Sequence, residues 1–377
     1  MMKEDLSADT EGRLLRNNLY DNTLTTPKII PITTKHGYVS VTQQGLPNRT
    51  AIVTYHDLGH NSASQFHDFF AMPDMIPITA HFTIYHINAP GQEDIANPLP
   101  TASIYPTLDQ LADTVNDVFD YLNIKSAIGF GVGLGANVLV RFALKYSSRI
   151  NGLILVNCIT RGVGWLEGFS LKWPTKDIPE QRWTESLLNY LIWHLVGSTS
   201  ESTQYELAND LRDHLENNCN VRNVIKLLNS YLKRTAILIA QSNKKMKPSQ
   251  SLQCSVINIT GSSSPHKDDV IDTNNQCDPA MTSYVEFSDC SGAVLDEQPA
   301  KLAESIRLFL QGLGYISHLS IPQYSISNRL AEQTADYKRQ HGSFSKVPRR
   351  VSTQIDSGHY INDDPTNFEE ELQSPTI

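Results

Sequence analysis

The alternation of apolar and polar positions divides most of the chain into short strand-like runs separated by helix-like segments. Runs rich in β-branched and aromatic residues are bounded by turn residues, which is typical of strands. Between them, apolar residues spaced three and four apart indicate amphipathic helices. This order favours an α/β fold with a mostly parallel central sheet and helices on both faces. Strands are predicted at residues 29–33, 38–42, 51–55, 82–87, 126–129, 153–156, 255–260 and 283–287.

Two predicted helices carry clear end signals. Thr107 and Gln110 have the spacing of a capping box, and the helix that they open continues to about Leu122. A closing helix runs from about Pro299 to Gln311, with glycines just past its end. These signals place a helix before the central glycine-rich turn and another after the last strand.

A change of composition predicts an insertion in the sheet domain. Residues 162–245 have few strand signals and contain helical patterns at 186–195 and 221–232, so we interpret them as a helical cap. The two ends of the chain are polar, which predicts a flexible arm and a disordered tail. The predicted parts are the arm (1–27), the first part of the sheet domain (28–161), the cap (162–245), the second part of the sheet domain (246–317) and the tail (318–377).

The cap is also rich in tryptophan. An enclosed pocket between cap and sheet, lined by these rings, is a candidate site for a hydrophobic ligand or a lipid. The alternative is that the rings form the core of the cap itself. The four tryptophans of the chain all lie here, at Trp165, Trp173, Trp183 and Trp193.

Composition narrows the functional classes. The chain has 377 residues and a net charge of −9, which disfavours binding to nucleic acid. Its five cysteines are scattered without CxxC spacing, so we expect reduced thiols. No apolar run is long enough to span a bilayer, and the N-terminus has no apolar signal core. We therefore expect a cytoplasmic protein.

The glycine-rich stretch at residues 129–136, GFGVGLGA, joins a predicted strand to a predicted helix. Residues 131–136 fit the dinucleotide fingerprint G-x-G-x-x-G/A, but several strands precede them and the next strand ends without an acid. The alternative is the G-x-S-x-G nucleophile elbow of α/β-hydrolases, which follows a middle strand and precedes a helical cap. The order of elements favours the elbow, with Gly133 in the nucleophile position.

The other catalytic positions of such a hydrolase are also changed. Ser264 stands where the acid is expected, with Asp268 and Asp269 a little later, and Gly292 stands where the histidine is expected. Nucleophile, acid and base are thus all absent, which argues against a Ser-His-Asp mechanism and against an enzyme. In the oxyanion region, His56 precedes Asp57, whose carboxylate would disfavour an oxyanion nearby.

Two other chemistries have candidate residues. A divergent, esterase-like hydrolase could use Cys158, at the end of a strand, with His194 or His214 of the cap as its base. His56 and His60 have the spacing of a zinc motif, but Gly59 and a loop position argue against their sharing a helix face. We therefore predict no metal and no cofactor.

A family resemblance rests on the stretches at residues 54–59, 86–93, 105–112, 131–136, 141–144, 152–157, 261–265 and 309–315. Through them the chain resembles the N-myc downstream-regulated (NDRG) family of non-catalytic α/β-hydrolase-fold proteins. The resemblance covers roughly residues 28–316, whereas the cap matches loosely. It implies a cytoplasmic protein that acts as an adaptor in signalling, growth control, differentiation and stress responses, with protein partners and a phosphorylated C-terminal tail.

The tail offers specific acceptors for a kinase. Two arginines precede Ser352 and Thr353, which suits a basophilic kinase, and Ser343 is a weaker candidate. Phosphate there would replace local positive charge with negative charge.

Overall fold

A computed structural model describes residues 27–163, 182–199, 202–240, 251–317 and 319. The strands are β1 (Lys28–Thr34), β2 (Gly37–Gln44), β3 (Thr50–Tyr55), β4 (Phe82–Ile87), β5 (Ala127–Val132), β6 (Ile150–Val156), β7 (Ser255–Gly261) and β8 (Thr282–Phe287). The α-helices are α1 (Ser62–Ala71), α2 (Ile76–Thr79), α3 (Leu108–Tyr121), α4 (Leu134–Lys145), α5 (Glu185–Leu195), α6 (Ser202–Asn218), α7 (Val221–Tyr231), α8 (Lys267–Gln276), α9 (Val294–Glu297) and α10 (Pro299–Gly312).

The strands form one 8-stranded sheet in the order β1-β2-β4-β3-β5-β6-β7-β8. Strand β2 is antiparallel to both of its neighbours, and the pairs from β4 to β8 are parallel. The predicted α/β architecture with a mostly parallel sheet is therefore confirmed. Each predicted strand is present within a few residues of its expected ends.

Alternate strand residues supply two cores, one on each face of the sheet. Val53 and Leu153 pack with α3 and α4 on one face. Ile52 and Ile154 pack with α1 and α10 on the other face. Because the sheet is covered on both sides, its central strands are apolar on both faces, as parallel sheets require.

The glycine-rich stretch is more strand than turn. Strand β5 continues to Val132, three residues beyond the predicted end at Gly129. Gly133 is the one residue between the end of β5 and the start of α4.

The predicted capping box of α3 is present, because the Thr107 side chain accepts from the Gln110 N–H while the Gln110 side chain accepts from the Thr107 N–H.

The cap is inserted between β6 and β7, as predicted. The predicted helices at 186–195 and 221–232 correspond to α5 and α7. Helix α6 is mostly polar in sequence, but one side of it is apolar. This side includes the buried residues Ala208, Leu211 and Leu215. Trp165 and Trp173 lie outside the described residues, as do almost all of the predicted arm and tail. The exact domain borders stay predictions.

A buried histidine lies beside an aromatic cluster on the α1 face of the sheet. His86 is 3% exposed and contacts the rings of Phe66 and Phe70, at centroid distances of 5.7 and 5.2 Å. Its ring nitrogens bond to Thr54 Oγ1 at 2.8 Å and to Gln44 Oε1 at 3.2 Å. Burial lowers the pKa of His86 to about 3, so the ring is neutral in the folded state.

The lowered pKa of His86 predicts that the folded protein loses stability in acid. Because its pKa is lower in the folded state than its ordinary value of 6.5, its stabilising contribution is complete above pH 6.5 and is lost as the pH falls toward 3. Between pH 7.5 and pH 5, urea unfolding should show that a His86→Gln variant loses about 2 kcal/mol less stability than the wild type. The exposed His67→Gln is the control, and an equal loss in all three proteins would contradict the prediction.

Candidate functional site

Turns after five strands meet at the carboxyl edge of the sheet, where open α/β folds bind their ligands. Asp57 follows β3, Gly133 follows β5 and Asn157 follows β6. Ser264 follows β7, and Gly292 follows β8. The sheet thus brings together all the positions assigned to a degenerate triad and to the oxyanion region. The sheet also places Asn157 at this edge.

Gly133 holds a backbone conformation that favours glycine. It precedes α4 with φ +50° and ψ −111°. A Cβ atom at this position would lie 1.9 Å from Asp57 Oδ2 and 2.1 Å from Asp57 Cγ. The Asp57 carboxylate therefore fills the space that any side chain at position 133 would need.

The same carboxylate is bound by two backbone amides. Leu58 and Leu134 donate their N–H groups to Asp57 Oδ1 at 2.7 and 2.8 Å. In α/β-hydrolases, the amide after the nucleophile and an amide from the loop after β3 bind the oxyanion. Leu134 and Leu58 have these two places in the chain. Asp57 Oδ1 thus lies where those amides would receive a negatively charged oxygen.

Asp57 is charged although it is only 2% exposed. Burial by itself would raise the pKa of its carboxyl group, but His194 and the amides of Leu134 and Leu58 outweigh burial. The pKa is held below its ordinary value. Because α4 begins at Leu134, its positive N-terminal end also favours this anion.

The cap contributes a histidine to this carboxylate. His194, near the end of α5, lies with Nε2 3.4 Å from Asp57 Oδ1. Its other ring nitrogen, Nδ1, lies 3.0 Å from Nε2 of His266, a residue of the turn after β7. His266 Nε2 also lies 2.9 Å from the backbone carbonyl of His194. His194 and His266 are both buried, so cap and sheet domain share one enclosed polar network.

The acceptors in this network determine which nitrogens carry hydrogen. A carbonyl accepts only, so His266 Nε2 is the donor to the His194 carbonyl. An ionised carboxylate accepts only, so His194 Nε2 carries the hydrogen that faces Asp57. His194 Nδ1 is then the bare acceptor beside His266. Burial, together with His194, lowers the pKa of His266.

Asp269 lies behind this network, not at the elbow. It lies in the first turn of α8, where Arg161 Nη2 donates to its Oδ2 at 3.1 Å. His266 Nδ1 lies 3.9 Å from the same oxygen. Of the two later acids considered for the triad, Asp269 therefore pairs with Arg161, and Asp268 is exposed on α8.

Asn157 joins the two other altered positions. Its Oδ1 accepts from Ser264 Oγ at 3.1 Å and from Thr260 Oγ1 at 2.9 Å. Its Nδ2 donates to the Gly292 carbonyl at 2.8 Å. A Cβ atom at Gly292 would lie 2.4 Å from the carbonyl oxygen of Leu195 in the cap. Ser264 and Gly292 therefore hold turns together, and position 292 has no room for a histidine side chain.

Cys158 lies in the core. Its exposure is 0%, and burial raises the pKa of its thiol, which disfavours the thiolate that a nucleophile needs. His194 contacts Asp57 and His266, whereas His214 Nε2 lies 3.3 Å from the thiol of Cys219. The five cysteines are free thiols. These contacts do not favour the Cys158 hypothesis.

His56 has a structural role. Its Nε2 accepts from the Ala89 N–H at 2.9 Å, and its Nδ1 donates to the Asp57 carbonyl at 2.8 Å. Burial lowers its pKa to about 4, so the ring is neutral. Within the part of the chain that the structure describes, no group of three or more His, Cys, Asp or Glu side chains could hold a metal ion.

A small cavity lies between cap and sheet, next to Asp57. Its volume is about 200 Å³, below the roughly 300 to 1,000 Å³ of typical ligand pockets. Its lining includes the carboxyl groups of Asp57, Asp210 and Asp296, and burial raises the pKa of Asp296 to about 6. The described tryptophans, Trp183 and Trp193, are not among its lining residues. Apolar side chains such as Leu195 and Leu211 also line this cavity, so it is the small volume that does not favour the predicted hydrophobic ligand.

Comparison with solved structures defines the class of protein. An esterase from Thermogutta terrifontis superposes with a TM-score of 0.61 at 15% identity, covering 76% of this chain and 99% of the esterase. An enol-lactonase from Burkholderia xenovorans LB400 gives a TM-score of 0.56 at 16% identity, covering 75% of this chain and 100% of the lactonase. The chain has the α/β-hydrolase fold.

Sequence comparison then defines the family. The chain belongs to the Ndr family, whose sequence model matches residues 30–317. It is 37% identical over 292 residues to Protein NDRG1 of Xenopus tropicalis, covering 77% of this chain and 72% of that protein. It is 33% identical over 334 residues to Protein NDRG2 of Pongo abelii, covering 84% and 86%. The predicted resemblance is confirmed.

The contact between Asp57 and Gly133 predicts strong energetic coupling. Gly133→Ala should destabilise by about 1 kcal/mol from backbone strain and by a further ~1–3 kcal/mol from the clash with Asp57. In an Asp57→Ala background the clash is absent, so the same substitution should cost only about 1 kcal/mol. A double-mutant cycle from urea unfolding measures the difference. Additive effects of the two substitutions would contradict the described geometry.

Proposed function

We propose that this protein is a non-enzymatic, cytoplasmic adaptor or regulatory protein with a degenerate hydrolase site. The observation that carries the proposal is the Asp57 carboxylate, which lies in the space of a nucleophile and is bound by the Leu58 and Leu134 amides. A substrate carbonyl oxygen could not reach these amides while Asp57 holds them. Catalysis by this fold depends on leaving such donors open to the developing oxyanion.

The triad assignment supports the same proposal. We assign Gly133, Ser264 and Gly292 to the positions of nucleophile, acid and histidine. Gly133 offers no nucleophilic atom, and Leu195 of the cap closes position 292. The cap histidine that contacts Asp57, His194, directs its Nε2 hydrogen at this carboxylate and so cannot act as a base through that nitrogen.

Adaptor action is proposed on the basis of family membership. The family resemblance implies roles in signalling, growth control, differentiation and stress responses, through protein partners. Because Asp57 fills the elbow, protein partners are proposed to bind to surfaces of the cap and of the sheet domain. Over the described parts of the chain, no helix combines the length and apolar character needed to cross a membrane.

The first test is hydrolysis of short- and long-chain activated esters by the full-length protein. We expect turnover no higher than that of an inert protein, in both wild type and Cys158→Ala. An active esterase run beside them shows that the assay works. Saturable turnover abolished by Cys158→Ala would overturn the proposal in favour of a divergent hydrolase.

A second test addresses the adaptor role. Crosslinked partners captured by the full chain are compared with those captured by a chain ending at residue 317. Reproducible partners that bind at stoichiometric levels are expected, and a failure of either chain to retain any protein would contradict the proposal.

Phosphorylation of the tail is the regulatory part of the proposal. Ser352, Thr353 and Ser343 lie outside the described residues, so the sequence pattern alone supports it. A basophilic kinase should modify Ser352 or Thr353, and Arg349→Ala with Arg350→Ala should reduce this modification about tenfold or more, since each arginine pairs with acidic groups of such a kinase. Phosphopeptide mapping measures the effect. Unchanged modification in the double variant would show that the arginines are not recognised.

A further inference from the structure

Another cavity, of about 340 Å³, lies at the amino edge of the sheet, where the parallel strands begin. It is therefore at the opposite edge from Asp57 and the altered triad positions. Its lining comes from the loops before β3 and β5, from residues of β3, β4 and β6, and from the segment after α10. Of the described residues that line it, two are basic, Arg49 and Lys125, and none is acidic.

The register of the sheet brings the two basic residues to the same level of neighbouring strands. Ala51 of β3 is the parallel partner of Ala127 of β5. Arg49 and Lys125 each lie two residues before these partners, so the chain enters both strands with a basic residue at the same offset. Like charges on neighbouring strands repel each other and are destabilising. The fold therefore carries a cost at this edge that a bound anion would offset.

No carboxylate neutralises either charge. Within the described parts of the chain, neither the Arg49 guanidinium nor Lys125 Nζ makes an ion pair or a hydrogen bond. Leu122, directly after α3, also lines the cavity, and the end of a helix carries roughly half a negative charge. This partial charge offsets only part of two full positive charges. Because both basic side chains are exposed, salt screens their potential, so binding of an anion here depends on ionic strength.

Two hydroxyl groups add donors to the two cations. Asn151 Nδ2 donates to Ser126 Oγ at 3.1 Å and to Tyr315 Oη at 2.8 Å, and all three residues line the cavity. Both hydroxyl oxygens thus accept from one amide, and each hydroxyl keeps its own hydrogen for a further acceptor. Among the described residues, no protein atom accepts either hydrogen. An anion that accepts several hydrogen bonds would therefore meet four donor groups in one cavity.

We propose that this cavity binds a small phosphate monoester whose organic part is polar. A phosphate group has nearly two negative charges at neutral pH, which matches the two cations, and its oxygens accept from guanidinium, ammonium and hydroxyl donors. The volume of about 340 Å³ is within the roughly 300 to 1,000 Å³ of typical ligand pockets. The side-chain amides of Asn48 and Asn123, which also line the cavity, suit an organic part that bears hydroxyl groups.

The experiment is calorimetric titration of the full-length protein at low and moderate salt. The probes are ribose 5-phosphate, ribose and inorganic phosphate, and a capped phosphoserine peptide forms a separate arm. The variants are Arg49→Gln, Lys125→Gln and Tyr315→Phe, of which the last removes a hydroxyl group and keeps the ring that contacts Phe82. The matched control is Lys301→Gln, which removes the charge of an exposed lysine on α10.

We expect ribose 5-phosphate to bind more tightly than ribose and than inorganic phosphate, and to bind more weakly at the higher salt concentration. Each of the three cavity variants should weaken its binding about tenfold, as expected for one hydrogen bond to a charged group, while Lys301→Gln leaves it unchanged. Equal binding of ribose and ribose 5-phosphate would overturn the proposal. Unaffected cavity variants, or tighter binding of the phosphoserine peptide than of ribose 5-phosphate, would also overturn it.

Discussion

The bond between the Asp57 carboxylate and the amides of Leu58 and Leu134 is the constraint around which the site is organised. A buried carboxylate without partners would cost several kcal/mol, so its environment must supply donors. The chain supplies one from the loop after β3, one from the start of α4 and one from the cap through His194. The elbow, the first loop and the cap are thereby bound to a single oxygen atom.

This arrangement changes what the cap does. In an α/β-hydrolase the cap encloses a substrate, whereas here His194 and the Leu195 carbonyl contact the turns that would form the site. His266 extends the contact from the cap to the turn after β7. The cap is thus bonded to the sheet domain through buried polar groups, which specify one relative position more narrowly than apolar packing does.

Most of the fold was predictable because it follows from local patterns. Strand periodicity, the capping box at Thr107 and the insertion after β6 all involve residues close together in sequence. Asp57 and Gly133 were also predictable as positions of the site. Their contact was not predictable, because it depends on the sheet placing β3 beside β5. His266 and Asn157 were missed for the same reason. Their position in the turns that follow parallel strands was the available signal.

The retained elbow geometry has a packing explanation that does not require catalysis. A Cβ atom at Gly135 would lie 2.0 Å from the Tyr55 carbonyl, and one at Gly261 would lie 2.0 Å from the Ser291 carbonyl. The turns approach neighbouring strands so closely that glycine is required wherever the sheet is built this way. Conformation at the carboxyl edge is therefore maintained by backbone contacts, while side-chain chemistry there is free to change. A protein with this fold can therefore lose its nucleophile and base and still keep the scaffold.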